Sequence, residues 1–207
     1  MVKLILVLIL GHFQLLHAEV INFDKQKEGS KIQGWTAGFF GAKGNPKWSI
    51  IKDDSSPSLP MALLQSGEAT YGWLVKNDSS LVDGMVEVDF KILSGKEDPE
   101  AGLVWRHQDG KNYYYVRANA VEDNIVFYRM HDGKKEVVKE ADYKIPFKTW
   151  HHLAVKFEGA QIDILIDQKS IISIKDKVFL GAGKVGLFTT ADTITSFDNF
   201  NFNKNKE

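Results

Sequence analysis

The chain has 207 residues and a formal net charge of −1 at pH 7, because 26 lysines and arginines nearly balance 27 aspartates and glutamates. Charges of both signs are scattered, so no basic stripe indicates a nucleic-acid partner. The absence of cysteine excludes thiol catalysis, thiolate metal sites and lipidation at cysteine. It also favours a bacterial secreted or envelope protein, because small secreted animal domains often carry disulfides.

The first 18 residues are predicted to form a secretory signal peptide. Lys3 gives a charged start, the apolar run Leu4 to Leu10 follows, and Ala18 is the expected last residue removed. This run is too short to cross a bilayer of ~30 Å, and no other segment is long and apolar enough to span a membrane. The sequence therefore predicts a secreted protein, extracellular or periplasmic, that begins at Glu19.

Short apolar segments separated by turn residues fill the first half of the remaining chain. The glycine-broken stretch Gly34 to Phe40 is predicted to be irregular. The segment Met85 to Leu93 alternates apolar and polar side chains with a period of two. Up to residue 100 the predicted strands are Val20–Phe23, Trp48–Ile51, Met61–Leu64, Tyr71–Val75 and Met85–Leu93.

The stretch Ala101 to Ala120 has the clearest pattern and is predicted to be a β-hairpin around the turn residues Gln108 to Asn112. Tyr113, Tyr115 and Arg117 share one face of its second strand. Trp105 shares parity with Leu103 on the first strand, and we expect it to be buried. The hairpin predicts a sheet with one apolar face packed in the core and one face that carries aromatic and arginine side chains.

The later strands are predicted at Asn124–Met130, Glu136–Lys139, Leu153–Phe157, Ile162–Asp167, Ile171–Ile174, Gly181–Thr190 and Thr195–Phe202. A turn or two of helix near Val178 is the one exception. Short, evenly spaced strands without a repeat or linker predict one all-β domain, a sandwich or barrel. Residues 204–207 are expected to form a frayed tail.

Six segments, in this order, resemble the concanavalin A-like lectin/glucanase superfamily, with its laminin-G-like and family-16-hydrolase-like members: Ala101–Arg106, Asn112–Arg117, Thr149–Val155, Ile162–Asp167, Gly183–Phe188 and Ser196–Phe200. The resemblance covers Met85 to Phe202. It implies a two-sheet antiparallel jelly-roll sandwich over residues 19–203, with ligands, mostly sugars, on the concave sheet or its rim. The first hypothesis is therefore a secreted, lectin-like module with an oligo- or polysaccharide as its partner.

A second hypothesis is an enzyme acting on glycosides. Family-16 hydrolases place three carboxylates on one face of a strand, and Glu87 and Asp89 match two of them. Lys91 and Ile92 stand where the third is needed, so the motif is incomplete and favours a protein that is not an enzyme. The hairpin strand is also similar to 3-keto-disaccharide hydrolases, but the acidic, glutamine-bearing segment expected after Arg106 is missing.

The candidate ligand-binding residues are aromatic rings, which stack on sugars, and arginines, which donate paired hydrogen bonds. Arg106, Tyr115 and Arg117 are expected to be exposed together and to suit a hydroxyl-rich or acidic glycan. If that face is packed instead, Glu87 and Asp89 are the expected partners of the arginines. The predicted set is Arg106, Tyr113, Tyr115, Arg117 and Arg129. A third hypothesis is a laminin-G-like protein-interaction domain without a sugar site.

Asp198 is the candidate ligand of a structural calcium ion, because sandwiches of the resembling superfamily often use an aspartate of the last strand in this way. Asp24, just after the first predicted strand, is the candidate second ligand. The alternative is that Asp198 ties a turn by accepting backbone hydrogen bonds. Asn77 begins an N-glycosylation sequon, which has meaning in a eukaryotic secretory pathway.

Overall fold

A computed structural model describes residues 20–204, and this range contains β-strands and no α-helix. The strands are β1 (Trp35–Gly44), β2 (Trp48–Lys52), β3 (Met61–Gln65), β4 (Ala69–Lys76), β5 (Gly84–Ser94), β6 (Glu100–Asp109), β7 (Asn112–Asn119), β8 (Asn124–His131), β9 (Lys134–Asp142), β10 (His151–Glu158), β11 (Gln161–Ile166), β12 (Lys169–Lys175), β13 (Lys184–Ala191) and β14 (Ile194–Lys204). Within these residues, no helix is long and apolar enough to cross a membrane.

The strands form two seven-stranded antiparallel sheets. Sheet A has the order β1-β4-β13-β6-β7-β8-β9, and sheet B has the order β12-β11-β10-β5-β14-β3-β2. Neighbours in each sheet come from distant parts of the chain, as in β4-β13-β6 and β5-β14-β3. The predicted all-β, two-sheet antiparallel jelly-roll sandwich is confirmed.

The main core lies between the sheets. Its largest members include Trp105, Tyr114 and Phe127 from sheet A, facing Phe90 and Phe157 from sheet B. The Trp105 side chain is fully buried, as its parity with Leu103 predicts, and its ring centre lies 5.5 Å from Tyr114 and 5.2 Å from Phe127. Period-two alternation of apolar residues builds this interface.

Sheet A also buries its outer face, which is unusual for one sheet of an antiparallel sandwich. A second group of side chains covers it, here called the outer aromatic cluster. Rings of β1 and β4 pack against its edge. The cluster comprises Val75, Val104, Tyr113, Tyr115, Val126, Tyr128, Met130 and Phe188, with Phe40, Tyr71 and Trp73 packed on it.

The outer face of sheet A is concave, because side chains from its two ends meet across it. Phe40 of β1 lies so close to the β8–β9 turn that a Cβ added at Gly133 would be 2.8 Å from its ring. Lys135 of β9 reaches to 5.6 Å from the Tyr71 ring centre in β4. The curved sheet therefore forms a groove that its own rings partly fill.

Three local predictions need correction. The stretch Gly34 to Phe40 is not irregular, because Trp35 to Phe40 form the first part of β1. Gly38 is needed there, since a Cβ would lie 2.2 Å from the Trp73 ring. The predicted first strand is a single bridge between Ile21 and Phe200. The segment around Val178 is a loop. The predicted signal peptide and residues 205–207 of the predicted tail lie outside the described residues, and Lys204 ends β14.

Candidate functional site

A polar pocket of about 290 Å³ opens on the concave face of sheet A. It lies where the start of β4 and the end of β13 meet the loop before β6, and β9 forms its far wall. The lining residues are Glu68, Ala69, Thr70, Tyr71, Glu97, Asp98, Lys135, Thr190, Ala191 and Asp192. Carboxylates, hydroxyls, an ammonium group and an aromatic ring thus surround one opening.

Tyr71 and Lys135 form the side of the pocket that borders the outer aromatic cluster. Lys135 pairs with Met130 across the β8–β9 ladder, so its side chain leaves the same face as the cluster. Its Nζ lies 5.6 Å from the Tyr71 ring centre and 5.1 Å from the Tyr128 ring centre. An exposed cationic donor therefore stands beside a half-buried ring.

The loop before β6 supplies the acidic side of the pocket and is held by hydrogen bonds. Asp192 accepts them from the backbone N–H groups of Lys96 and Glu97 at 2.9 to 3.1 Å. Burial raises the pKa of Asp192, but these N–H groups outweigh it and hold the pKa below its ordinary value. Asp98 Oδ1 accepts a hydrogen bond from Asn119 Nδ2 at 2.6 Å.

Beneath the pocket, Arg117 and Glu100 form a buried ion pair. The Arg117 Nε to Glu100 Oε1 distance is 2.7 Å, and both side chains are at most 6% exposed. The contact is not a hydrogen bond, since the N–H bond of Nε is not directed at an acceptor. Arg117 also donates hydrogen bonds to Asn124, to Tyr128 and to Glu122. This network joins β6, β7 and β8 under the pocket floor.

The protonation of Glu100 is set by its burial. Burial raises its pKa to about 8, Arg117 opposes this rise, and the nearby Asp98 adds to it. Thr190 Oγ1 donates a 2.7 Å hydrogen bond to the Glu100 carboxyl. Burial alone would lower the pKa of Arg117, but Glu100 and the other partners raise it above its ordinary value. Arg117 is therefore the fixed charge of the pair and Glu100 the titrating one.

The predicted binding residues of β7 share one face, as expected, but they are not exposed. Tyr113 is 0% exposed, Tyr115 is 1% exposed and Arg117 is 5% exposed. Tyr115 is stacked between Phe188, at 4.0 Å between ring centres, and Tyr128, at 4.9 Å. The expected exposure of Tyr115 and Arg117 is wrong because side chains of neighbouring strands cover them, and none of the three β7 residues lines the pocket.

Arg106 lies away from the concave face. It has a positive φ of 47°, and the β6–β7 register shifts after Trp105, so a bulge turns its side chain out of the alternation. The guanidinium is fully buried and donates to the carbonyl oxygens of Val82, Phe179 and Gly159 at 2.6 to 3.1 Å. The expectation that Arg106 is an exposed neighbour of Arg117 is wrong, since Gly102 occupies that position.

Arg129 also faces away from the pocket. It pairs with Tyr114, a member of the main core, and so leaves the other face of sheet A. Its guanidinium forms salt bridges with Glu136 at 2.5 Å and with Asp176 at 2.6 Å. The structure therefore brings Tyr113, Tyr115 and Arg117 together and separates Arg106 and Arg129 from them.

Glu87 and Asp89 belong to sheet B and are not the partners of either arginine. His152 lies between them, with Nδ1 2.8 Å from Asp89 and Nε2 3.5 Å from Glu87. Hydrogen bonds with Asp89 and Glu87 raise the pKa of His152 to about 9, so the imidazole is protonated at neutral pH. Asn199 and Asn201 donate to the remaining carboxylate oxygens at 2.8 Å. The two carboxylates are occupied in this network on the outer surface of sheet B.

Asp198 and Asp24 both hold the loop before β3. The buried Asp198 carboxylate accepts hydrogen bonds from Ser56 and from the N–H and hydroxyl of Ser58. Asp24 Oδ1 accepts one from the backbone N–H of Met61 at 3.1 Å. Within residues 20–204, no group of three or more histidine, aspartate or glutamate side chains is placed to hold a metal ion. Calcium at Asp198 stays a prediction.

A melting experiment tests calcium at this position. An ion bound to Asp198 in the folded state should raise the melting temperature in excess calcium and lower it in excess chelator, by preferential binding to the native protein. Asp198→Asn should remove the difference. An identical melting curve in calcium and in chelator would leave the tying of the serine loop as the sole role of Asp198.

Sequence reasoning missed the residues that line the opening. Tyr71 and Lys135 lie on strands far apart in the chain, and Asp98 and Asp192 lie in loops. Curvature of sheet A brings them together, and curvature has no signal in the periodicity of one strand. The sequence of β9 contains no usable signal, because Lys134, Lys135 and Glu136 are all polar and stand on both faces of the strand.

No protein-family model matches the chain. Levanase from Bacillus subtilis (strain 168) is 28% identical over 124 residues, which are 59% of this chain and 18% of levanase. The chain thus spans less than a fifth of that relative's length. Carbohydrate binding module CBM66 from Bacillus subtilis has a similar structure, with a TM-score of 0.65 and 24% identity over 82% of this chain and 94% of the module.

A protein of unknown function with a galectin-like fold from Bacillus subtilis is also similar, with a TM-score of 0.60 and 12% identity over 89% of this chain and 97% of that one. The likeness extends over nearly the whole of both solved structures, and it includes both sheets. Together with the strand order, it identifies the fold. The chain has a two-sheet jelly-roll fold like that of these two solved structures.

Proposed function

We propose that the protein is a carbohydrate-binding module and that the sugar binds in the pocket on the concave face of sheet A. The observation that carries this proposal is the combination at one opening of a ring, Tyr71, a donor, Lys135, and acceptors, Asp98 and Asp192. A sugar ring offers apolar C–H groups to stack on an aromatic face and hydroxyls that both donate and accept. Two similar proteins, levanase and the carbohydrate binding module CBM66, have names that refer to carbohydrates, and this supports the same function.

The charge of the pocket favours a neutral sugar. Glu68, Glu97, Asp98 and Asp192 are acidic, and Lys135 is the one basic residue of the lining. A uronic acid or a sulfated glycan would meet like charge at close range, which costs free energy in a partly buried site. The acidic glycan expected from two exposed arginines is therefore replaced by a neutral one, because both arginines are buried and paired.

We also propose that the protein is extracellular or periplasmic. The predicted signal peptide of residues 1–18 supports this location. A protein there would meet polysaccharides.

Binding to neutral polysaccharides, measured by titration calorimetry, tests the proposal. Levan is the first probe because the levanase relative is named for it. Tyr71→Ala should weaken binding by about tenfold through the lost stacking surface, and Lys135→Ala should weaken it by a similar factor through the lost donor. The folded state should be unaffected by Lys135→Ala, because this side chain is exposed.

Lys134→Ala is the matched control. Lys134 is the adjacent exposed lysine of β9, and alternation directs it to the opposite face of the sheet. Equal affinity of the Tyr71, Lys135 and Lys134 variants would place the sugar elsewhere. Binding to no member of a neutral polysaccharide panel would favour the protein-interaction hypothesis instead.

A further inference from the structure

A second, chemically different cavity opens at one edge of the sandwich, and no part of the proposed sugar site uses it. It has a volume of about 420 Å³, which lies within the range of small-molecule sites, ≈300–1,000 Å³. We call it the edge cleft and define it by Lys31, Ile32, Trp35, Lys47, Trp48 and Leu74.

The edge cleft leads between the two sheets. β1 is the last strand of sheet A and β2 the last strand of sheet B, and at the opposite side of the sandwich β9 lies against β12. Trp35 and Leu74 come from sheet A, and Trp48 comes from sheet B. A molecule in this cleft would therefore contact the main core of the domain.

The walls of the edge cleft are apolar and rigidly placed. Leu74 is 1% exposed and belongs to the main core. The Trp35 ring packs edge-on against Phe200, with 4.9 Å between ring centres, and the Trp48 ring lies 5.9 Å from Phe197. Rings held in this way form a preorganised apolar surface, which lowers the entropic cost of binding an apolar guest.

The polar side chains that line the edge cleft are all hydrogen-bond donors, and two of them are cations. Lys31 and Lys47 are exposed, no carboxylate lines the cleft, and neither lysine forms a salt bridge with a described residue. The fixed charge at this cleft is therefore positive, which favours an anionic guest.

We propose that the edge cleft binds a medium-chain fatty carboxylate. The hydrocarbon chain lies against Trp35, Ile32 and Leu74, and the carboxylate pairs with Lys31 and Lys47 at the mouth. A sugar does not suit this cleft, because its hydroxyls would find donors and no side-chain acceptor. The proposal is independent of the sugar site, which lies on the concave face of sheet A.

Binding of decanoate to the full protein, below its micelle concentration, tests the proposal. Decanoate should quench or shift tryptophan fluorescence, since Trp35 and Trp48 line the cleft, and should bind about tenfold more tightly than 1-decanol, which has the same chain without the charge. The double variant Lys31→Gln/Lys47→Gln should lose this preference and keep its affinity for decanol. Both lysines are exposed, so the variant should fold, and circular dichroism checks this.

Lys25→Gln/Lys27→Gln is the matched control, because it removes two exposed charges that do not line the edge cleft. It should bind decanoate like the unchanged protein. Three results would overturn the proposal: no binding of decanoate, equal affinity for decanoate and decanol, or an unchanged preference in the Lys31→Gln/Lys47→Gln variant. Binding to vesicles of phosphatidylglycerol without binding to free decanoate would also overturn it, in favour of a lipid surface.

Discussion

Replacing Arg117 with alanine should destabilise the protein increasingly as the pH rises above 8, by up to about 3–5 kcal/mol, because it leaves the Glu100 carboxylate buried without its cation. Glu100 is 3% exposed, and Arg117 is the cation in contact with it. Urea unfolding of the variant and of the unchanged protein measures the difference. A loss below about 1 kcal/mol, the range of exposed pairs, would contradict the structure.

The cost of Arg117→Ala should shrink toward pH 5. The folded-state pKa of Glu100 is raised to about 8 from its ordinary 4.5, so the folded protein keeps a proton that the unfolded chain releases between these values. The contribution of Glu100 to the free energy of unfolding is therefore at its full value below pH 4.5 and decreases as the pH rises to 8. The decrease is at most ~1.4 kcal/mol per pH unit. At low pH the carboxyl is neutral, and the loss of Arg117 strands no charge.

Glu100→Gln separates this effect from other groups. His152 has its pKa raised to about 9, so its contribution is also lost as the pH rises from 6.5 to 9. The free energy of unfolding is therefore measured against pH for the unchanged protein and for Glu100→Gln. The difference between the two curves gives the contribution of Glu100, whereas the slope of one curve also contains that of His152. In Arg117→Met/Glu100→Gln, most of the loss should be recovered, because no buried charge remains unpaired.

Replacing Arg106 with alanine should cost about 3–5 kcal/mol. The change leaves the carbonyl oxygens of Val82, Phe179 and Gly159 without the donor that now joins three separate loops. Arg106→Lys should recover only part of this, because an ammonium group cannot match the planar fork of a guanidinium. Thermal or urea unfolding measures both variants.

Lys52→Ala is the control for Arg106→Ala. The Lys52 side chain is 57% exposed and its ion-pair partner Asp54 is 78% exposed, so the loss should be below about 1 kcal/mol. If Arg106→Ala cost no more than Lys52→Ala and abolished sugar binding, Arg106 would be a binding residue rather than a structural one.

The architecture was predictable because period-two alternation is a local property of the chain. The alternation of Met85 to Leu93 and of Tyr113 to Asn119 places the correct residues in the main core. The bulge at Arg106 was not predictable, since a positive φ at a non-glycine residue breaks the alternation without a sequence signal. Because of this bulge, the Arg106 side chain does not lie on the face that its position in the alternation predicts.

The site was harder to predict than the fold, because exposure depends on what covers a face. Parity correctly groups Tyr113, Tyr115 and Arg117, but their burial results from Phe188 and Tyr128 on other strands. The partners of Arg117 come from β6 and from the β7–β8 turn rather than from the strand of Glu87 and Asp89. Pairing across a sheet requires the strand order, which a single sequence does not supply.

The burial of sheet A on both faces changes what fixes the alignment of its central strands. In a sheet with one solvent-exposed face, a shift of a strand by one residue exposes its apolar side chains to water. The hydrophobic effect alone therefore disfavours the shifted register. β7 is apolar on both sides, so such a slip would exchange one aromatic layer for another. Arg117 breaks this equivalence, because its charge would enter the main core without Glu100. We therefore expect the contact of Arg117 with Glu100 to specify the register of the hairpin.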